Sequence, residues 1–274
     1  IKNAQFSLQG KTYSITKNQG EHCLHGGVEG FNARRWQVKE SSAQHVVFAL
    51  CSPHSDQGFP GQLDVTVRYE LTQANGVEIS YHGVCDQDCP VSLTNHAYFN
   101  LQGDAGQMDC RDHELWLDAD SYLPIDTSGL PISGCVPVDD TGFDFRHKKS
   151  LRKDFLQDQQ QQDVGGYDHA YLLNPSRQAD DVVSRISLPD QSVIMAVKTS
   201  MPAAQLYTGN FLQACPKRSG GCYSNYAGVA FETQYLPDSP NHPEWTFSDS
   251  LLKAYQEYQH YTVYEFVWDE LNAQ

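Results

Sequence analysis

Apolar and polar residues alternate along most of this chain. The stretches 46–51 (VVFALC), 62–72 (QLDVTVRYELT) and 77–85 (VEISYHGVC) are rich in β-branched and aromatic residues and change face at every step, the period of a half-buried strand. Asn75-Gly76 separates the last two, a hairpin signal because both central positions of a type I′ turn need positive φ. Further strands are expected at 114–118, 167–173, 182–188, 192–199, 204–208, 227–235 and 261–268, with a hairpin over 5–9 and 11–16. Only 148–163 (KKSLRKDFLQDQQQQD) reads as helical, and its glutamine run suits a solvated surface. Many short strands separated by Gly, Pro, Asn and Asp predict an all-β protein, a large antiparallel β-sandwich. Neither an internal repeat nor a composition break marks a linker, so residues 1–274 are read as a single domain.

The stretch 91–103 (VSLTNHAYFNLQG) carries the same alternation with a histidine inside it. As a strand it places Val91, Leu93, Asn95, Ala97, Phe99 and Leu101 on one face and Ser92, Thr94, His96, Tyr98, Asn100 and Gln102 on the other. A polar and aromatic face of that kind serves either as a solvent-facing surface or as the floor of a binding site. By pattern alone His96 fits a hydrogen-bonded structural histidine.

Composition narrows the functions. With 19% charged and 11% aromatic residues the chain has the makeup of a folded protein. The net charge of −15, with no stripe of Lys and Arg, argues against nucleic acid and against an anionic membrane surface as partners. A neutral small molecule meets no such barrier. No apolar run is long enough to span a bilayer, and the first residues, IKNAQFSLQGK, lack a signal peptide's apolar core. The eight cysteines are therefore read as free thiols in a reducing compartment, the cytoplasm, rather than as a disulfide framework. Cys85-x3-Cys89 and Cys215-x6-Cys222 do not have zinc-ribbon or finger spacing, so no metal is expected.

Catalytic templates built on a nucleophile elbow, a phosphate loop, a dinucleotide fingerprint or a zinc helix are missing from the sequence. What remains is an acid and a base without a cofactor. On 227–235, Ala230, Glu232 and Gln234 share a face. A carboxylate amid GVAF is either solvent-facing or, on a central strand, a buried base with a raised pKa. His25 before Gly26-Gly27 fits a turn. Asp168 and His169 are adjacent and point to opposite faces, so one of them at most enters a given site. Gln205 and Tyr207 share a face, a hydrogen-bonding amide beside a ring suited to sugar stacking or to an edge surface.

Six motifs together, LHGGVEGFNARRW, DQGFPG, SLTNHAYFNLQGD, GYDHAYLL, QLYTGNFL and ETQYLPDSPNHPEW, resemble the aldose 1-epimerases, or galactose mutarotases, in order and spacing across essentially the whole chain. The resemblance implies a galactose mutarotase-like β-supersandwich that interconverts the α and β anomers of free hexoses such as galactose and glucose. It places Glu232 on the family's general base and His96 on its general acid. It places His25, Asp168 and Gln205 on sugar-binding positions, and it requires no metal or nucleotide cofactor. Family members carry a further N-terminal segment with a sugar-binding arginine, and Ile1 aligns with its end. A chain without that segment is expected to be less active than a full-length relative and to expose sheet edges. Two other readings stay open: an inactive sugar-binding protein on the same fold, and a hexose-6-phosphate 1-epimerase, which would want a basic pocket. The preferred sugar and the oligomeric state are not encoded in these patterns.

Overall fold

The computed structural model describes residues 1–104, 109–178 and 180–268. The chain divides into two units, residues 1–93 with 237–262, and residues 94–236 with 263–274.

The first unit is built on a meander of four antiparallel strands, Gln37–Ser41, His45–Ser52, Leu63–Leu71 and Gly76–Cys85. Along the third, Leu63, Val65 and Val67 are buried while Asp64 is exposed, so the alternation in the sequence is the alternation of faces. The hairpin at 75–76 forms with a longer connection than expected. Leu71 pairs with Val77, Asn75 alone takes a left-handed φ of 56°, and the Gly76 N–H donates to the Thr72 hydroxyl. Gln37–Ser41 escapes the sequence reading because all five residues are exposed. Without a buried face there is no period to read. A second small core gathers Ala4, Phe6, Ile15 and Cys23 beneath the hairpin Gln5–Leu8 and Lys11–Ser14.

The second unit holds two antiparallel ladders. One runs Lys149–Ser150, Glu114–Leu117, Val182–Ser187, Val193–Thr199. The other runs Val136–Pro137, Ser121–Tyr122, Asp168–Leu172, Ala203–Tyr207, Val229–Gln234, Tyr98–Phe99. In this six-stranded sheet one face is dry: His169, Tyr171, Ala204, Leu206, Val229, Phe231 and Thr233 are all buried. The Tyr264 hydroxyl, on residues 263–268 of the last strand, donates to the Phe231 carbonyl at 3.0 Å, and Phe99 packs on the Tyr264 ring. The antiparallel all-β expectation holds.

Two sequence expectations change. The helix spans only Gln159–Val164. Asp158 caps it through the Gln160 N–H, and Gly165, at φ 74°, ends it. Upstream, Lys149–Ser150 pairs as a strand instead. The stretch 91–103 is also not one strand, since only Tyr98–Phe99 joins a ladder. Side chains take the backbone donors that a ladder would use. Asn95 Oδ1 accepts from the Ala97 N–H, Asn100 Oδ1 from the Gln102 N–H, and His113 Nε2 from the Leu101 N–H.

All eight cysteines carry free thiols. Among the described residues, no helix is long and apolar enough to cross a membrane.

Candidate active site

The register of the six-stranded sheet puts the candidate residues side by side. Glu232 lies directly opposite Gln205, and Gln205 directly opposite Ala170. Tyr207 pairs with Asp168 on one side and Ala230 on the other, and Ala230 pairs with Tyr98. Directly opposed residues share a face, so Asp168, Ala170, Gln205, Tyr207, Ala230, Glu232 and Tyr98 all stand on the face turned away from the dry core. Ala170 and Ala230 are short, which leaves the space above the floor to the polar and aromatic side chains. His169 falls on the dry face against Phe143 and Tyr122, where burial pushes its pKa down to about 3. Of the adjacent pair, Asp168 is the one that enters the site.

Local packing fixes Asp168. The helix ends at Gly165, and the chain then passes Asn210 and Thr208 so closely that a Cβ on Gly166 would lie 2.3 Å from Asn210 Oδ1. Thr208 Oγ1 accepts the Tyr167 N–H, and Asn210 Nδ2 donates to the Val164 and Tyr167 carbonyls. These buried bonds join the residue before Asp168 to the residues after Tyr207. The motifs GYDHAYLL and QLYTGNFL cover both segments without revealing the clamp, whose signal is Gly165-Gly166 at the start of one and Thr208-Gly209-Asn210 in the other.

His96 reaches the floor from the loop before Tyr98. Its Nε2 is 3.4 Å from Glu232 Oε1, with the histidine side chain 32% exposed and the glutamate 8%. Burial, and then the charge of Asp168, push the Glu232 pKa up to about 8. Burial raises Asp168 to about 6 against the opposing hydrogen bond from Gln205, whose Nε2 donates to Asp168 Oδ1 at 2.7 Å. Gln205 Oε1 is buried with no hydrogen-bond partner, an acceptor whose desolvation is recovered once a hydroxyl donates to it. Burial also raises the pKa of the Tyr98 and Tyr207 phenols, which keeps them neutral donors.

His25 belongs to the first unit. It sits in a turn with a left-handed φ of 52°, followed by Gly26 and Gly27 at 82° and 101°. The structure thus brings His96, from the loop before Tyr98, to the sheet that carries Asp168, Gln205 and Glu232, while His25 keeps the turn geometry expected of LHGG. Among the described residues, no cluster of three or more His, Cys, Asp or Glu side chains is arranged to hold a metal ion. The arrangement offers two carboxyls of raised pKa, an imidazole and an amide: proton transfer and hydroxyl recognition.

A sequence profile of the family described as "Aldose 1-epimerase" matches residues 1–265. The chain belongs to the aldose 1-epimerase family. It is 44% identical over 267 residues to the aldose 1-epimerase of Escherichia coli K12, covering 97% of this chain and 77% of that protein. It is 37% identical to the galactose mutarotase of Bos taurus over 97% of this chain and 75% of the relative. A crystal structure of an aldose epimerase homologue from C. elegans superposes with a TM-score of 0.88 at 30% identity, covering 98% of this chain and 79% of the other. Aldose 1-epimerases are isomerases.

Proposed function

We propose that the protein interconverts the α and β anomers of free hexoses, galactose and glucose among them, by opening and reclosing the ring with acid and base catalysis. The observation that carries this reading is the His96–Glu232 pair, 3.4 Å apart on a floor that also presents Asp168 and Gln205. A cyclic hemiacetal holds its ring oxygen and its anomeric hydroxyl on one carbon. A base and an acid that serve both must be near neighbours, and this pair is.

In the forward direction Glu232 takes the proton of the anomeric hydroxyl and His96 Nε2 gives one to the ring oxygen. The bond from the anomeric carbon to the ring oxygen breaks and leaves an aldehyde and a hydroxyl. Rotation of the aldehyde presents its other face. The hydroxyl adds back while His96 recovers a proton and Glu232 returns one, so protons balance over the cycle. A base with a midpoint near 8 is matched to neutral and mildly alkaline conditions, where it accepts protons readily and gives them back. Asp168 and Gln205 Oε1 accept sugar hydroxyls and hold the ring in the reactive pose. His25 is included as a sugar contact on the strength of the motif LHGG alone. A cytoplasmic location accords with eight free thiols.

Polarimetry of freshly dissolved α-galactose and α-glucose tests the reading. Acceleration by the protein that is lost in Glu232→Gln, with sugar binding kept, is the expected result. No acceleration by the folded protein discards the enzyme reading and leaves a sugar-binding protein.

A further inference from the structure

His96 comes from a loop and not from a ladder, which raises the question of what holds its ring. Residues 91–97 have no strand pairing, and the nearest ladder position is Tyr98. Two tyrosine rings flank the imidazole. Tyr98 lies 4.9 Å from it, centroid to centroid, and Tyr207 meets it edge-on at 6.0 Å with the planes at 85°. The two tyrosines also touch each other, at 6.1 Å and 64°. They differ in how firmly they are held. Tyr98 is 43% exposed. Tyr207 is paired on both sides, with Asp168 and with Ala230, and its hydroxyl accepts the Phe211 N–H at 3.2 Å. Its ring is tied at both ends, by the sheet at Cα and by the following loop at the hydroxyl.

We propose that Tyr207 is a positioning residue whose ring helps fix the orientation of His96, with Nε2 held toward Glu232. The inference rests on the reading of His96 as the proton donor and adds the group that aims it. It assigns Tyr207 a different task from sugar stacking. An edge-to-face contact depends on the angle between the planes, so it restrains rotation of the imidazole about its own bond, which a contact with sugar would not do. A donor that swings away from the ring oxygen slows the chemical step without loosening the sugar.

Steady-state polarimetry of Tyr207→Leu and Tyr207→Phe, with NMR of the sugar-free protein, tests this. Tyr207→Leu is expected to lower kcat about tenfold, roughly 1.4 kcal/mol, with KM changed less than about twofold. Tyr207→Phe keeps the ring and its place in the sheet but loses the hydroxyl's tie to the Phe211 N–H, and is expected to fall between the parent and the leucine variant in kcat. In the unsubstituted protein, nuclear Overhauser contacts should join the His96 and Tyr207 rings, and His96→Gln assigns those signals. A rise in KM with kcat preserved would make Tyr207 a sugar contact and overturn the proposal. Unchanged kinetics in the leucine variant, or a phenylalanine variant as slow as the leucine one, overturns it as well. Missing Overhauser contacts overturn it even if the leucine variant does not fold. If the parent protein fails to mutarotate either sugar, the functional reading falls, and the NMR result still decides whether Tyr207 holds His96.

Discussion

Gln205 stands directly across from Glu232 in the neighbouring strand, and its amide nitrogen reaches the Asp168 carboxylate on its other side at 2.7 Å. One amide thus sits between the two acidic groups of the site. It stabilises the charge on Asp168, and that charge in turn holds the proton on Glu232 more tightly.

Replacing Asp168 with Asn removes that charge. The Glu232 midpoint should move down from about 8 and remain above the ordinary glutamate value, because burial is the larger cause of the shift. The rise of kcat/KM with pH should move in the acid direction by the same amount. Carbon-13 NMR of the Glu232 carboxyl and a pH–rate profile check this together. On the proposed reading of Asp168 as an acceptor for sugar hydroxyls, KM should also rise.

Glu232→Gln should lower kcat by about 10²-fold or more. It should also stabilise the fold in a pH-dependent way. The midpoint of Glu232 is raised from 4.5 to about 8, so between these values the folded chain binds more protons than the unfolded chain. The contribution of this group is fully present below about pH 4.5 and is lost as pH rises through about 8. Thermal unfolding should show parent and variant close together near pH 4.5, and the variant ahead at pH 8 to 9. Equal gaps at both ends would mean that Glu232 is not held protonated by the fold.

Gly166→Ala should cost about 1–3 kcal/mol in urea unfolding. The backbone φ is 153°, and the new methyl would meet Asn210 Oδ1 at 2.3 Å and Thr208 Oγ1 at 2.7 Å. Because the same buried bonds fix Tyr167 next to Asp168, KM for the sugar should rise in the fraction that folds.

On the dry face, Phe231→Ala should cost about 3–5 kcal/mol, since Phe231 is fully buried one residue before Glu232. Denaturant titration gives the stability. A kcat that stays within about threefold of the parent in the folded fraction would show that the two faces act independently.

Much of this fold and site is legible in the sequence. The strands Leu63–Leu71 and Gly76–Cys85 each bury one face, and burial writes a period of two into the sequence; Val229–Gln234 is buried on both faces, and there the alternation of a strand alone sorts the side chains. That period put Glu232 with Ala230, Gln205 with Tyr207, and Asp168 opposite in sense to His169. It failed where burial does not decide the backbone. Residues 91–97 alternate in composition, yet they join no ladder, and the Asn95 side chain accepts the Ala97 N–H instead of a neighbouring strand. The two-residue strands Ser121–Tyr122 and Val136–Pro137 are too short to carry a period. The meeting of His96 with Glu232 depends on strands far apart in sequence, and only the motif set pointed to it.

The two-faced floor also governs how this protein can change. If the proposed site is the working one, substitutions along Asp168, Gln205, Tyr207 and Glu232 should alter the chemistry while Tyr171, Leu206 and Phe231 keep the sheet packed, so that new specificities are reachable one side chain at a time. A single inserted or deleted residue within Ala203–Tyr207 has the opposite character. It would turn Leu206 onto the face that carries Glu232 and Gln205 into the dry layer, disrupting the proposed site and the packing in one step. The lineage of such a site should therefore record exchanges within these strands and length changes only in the loops that join them.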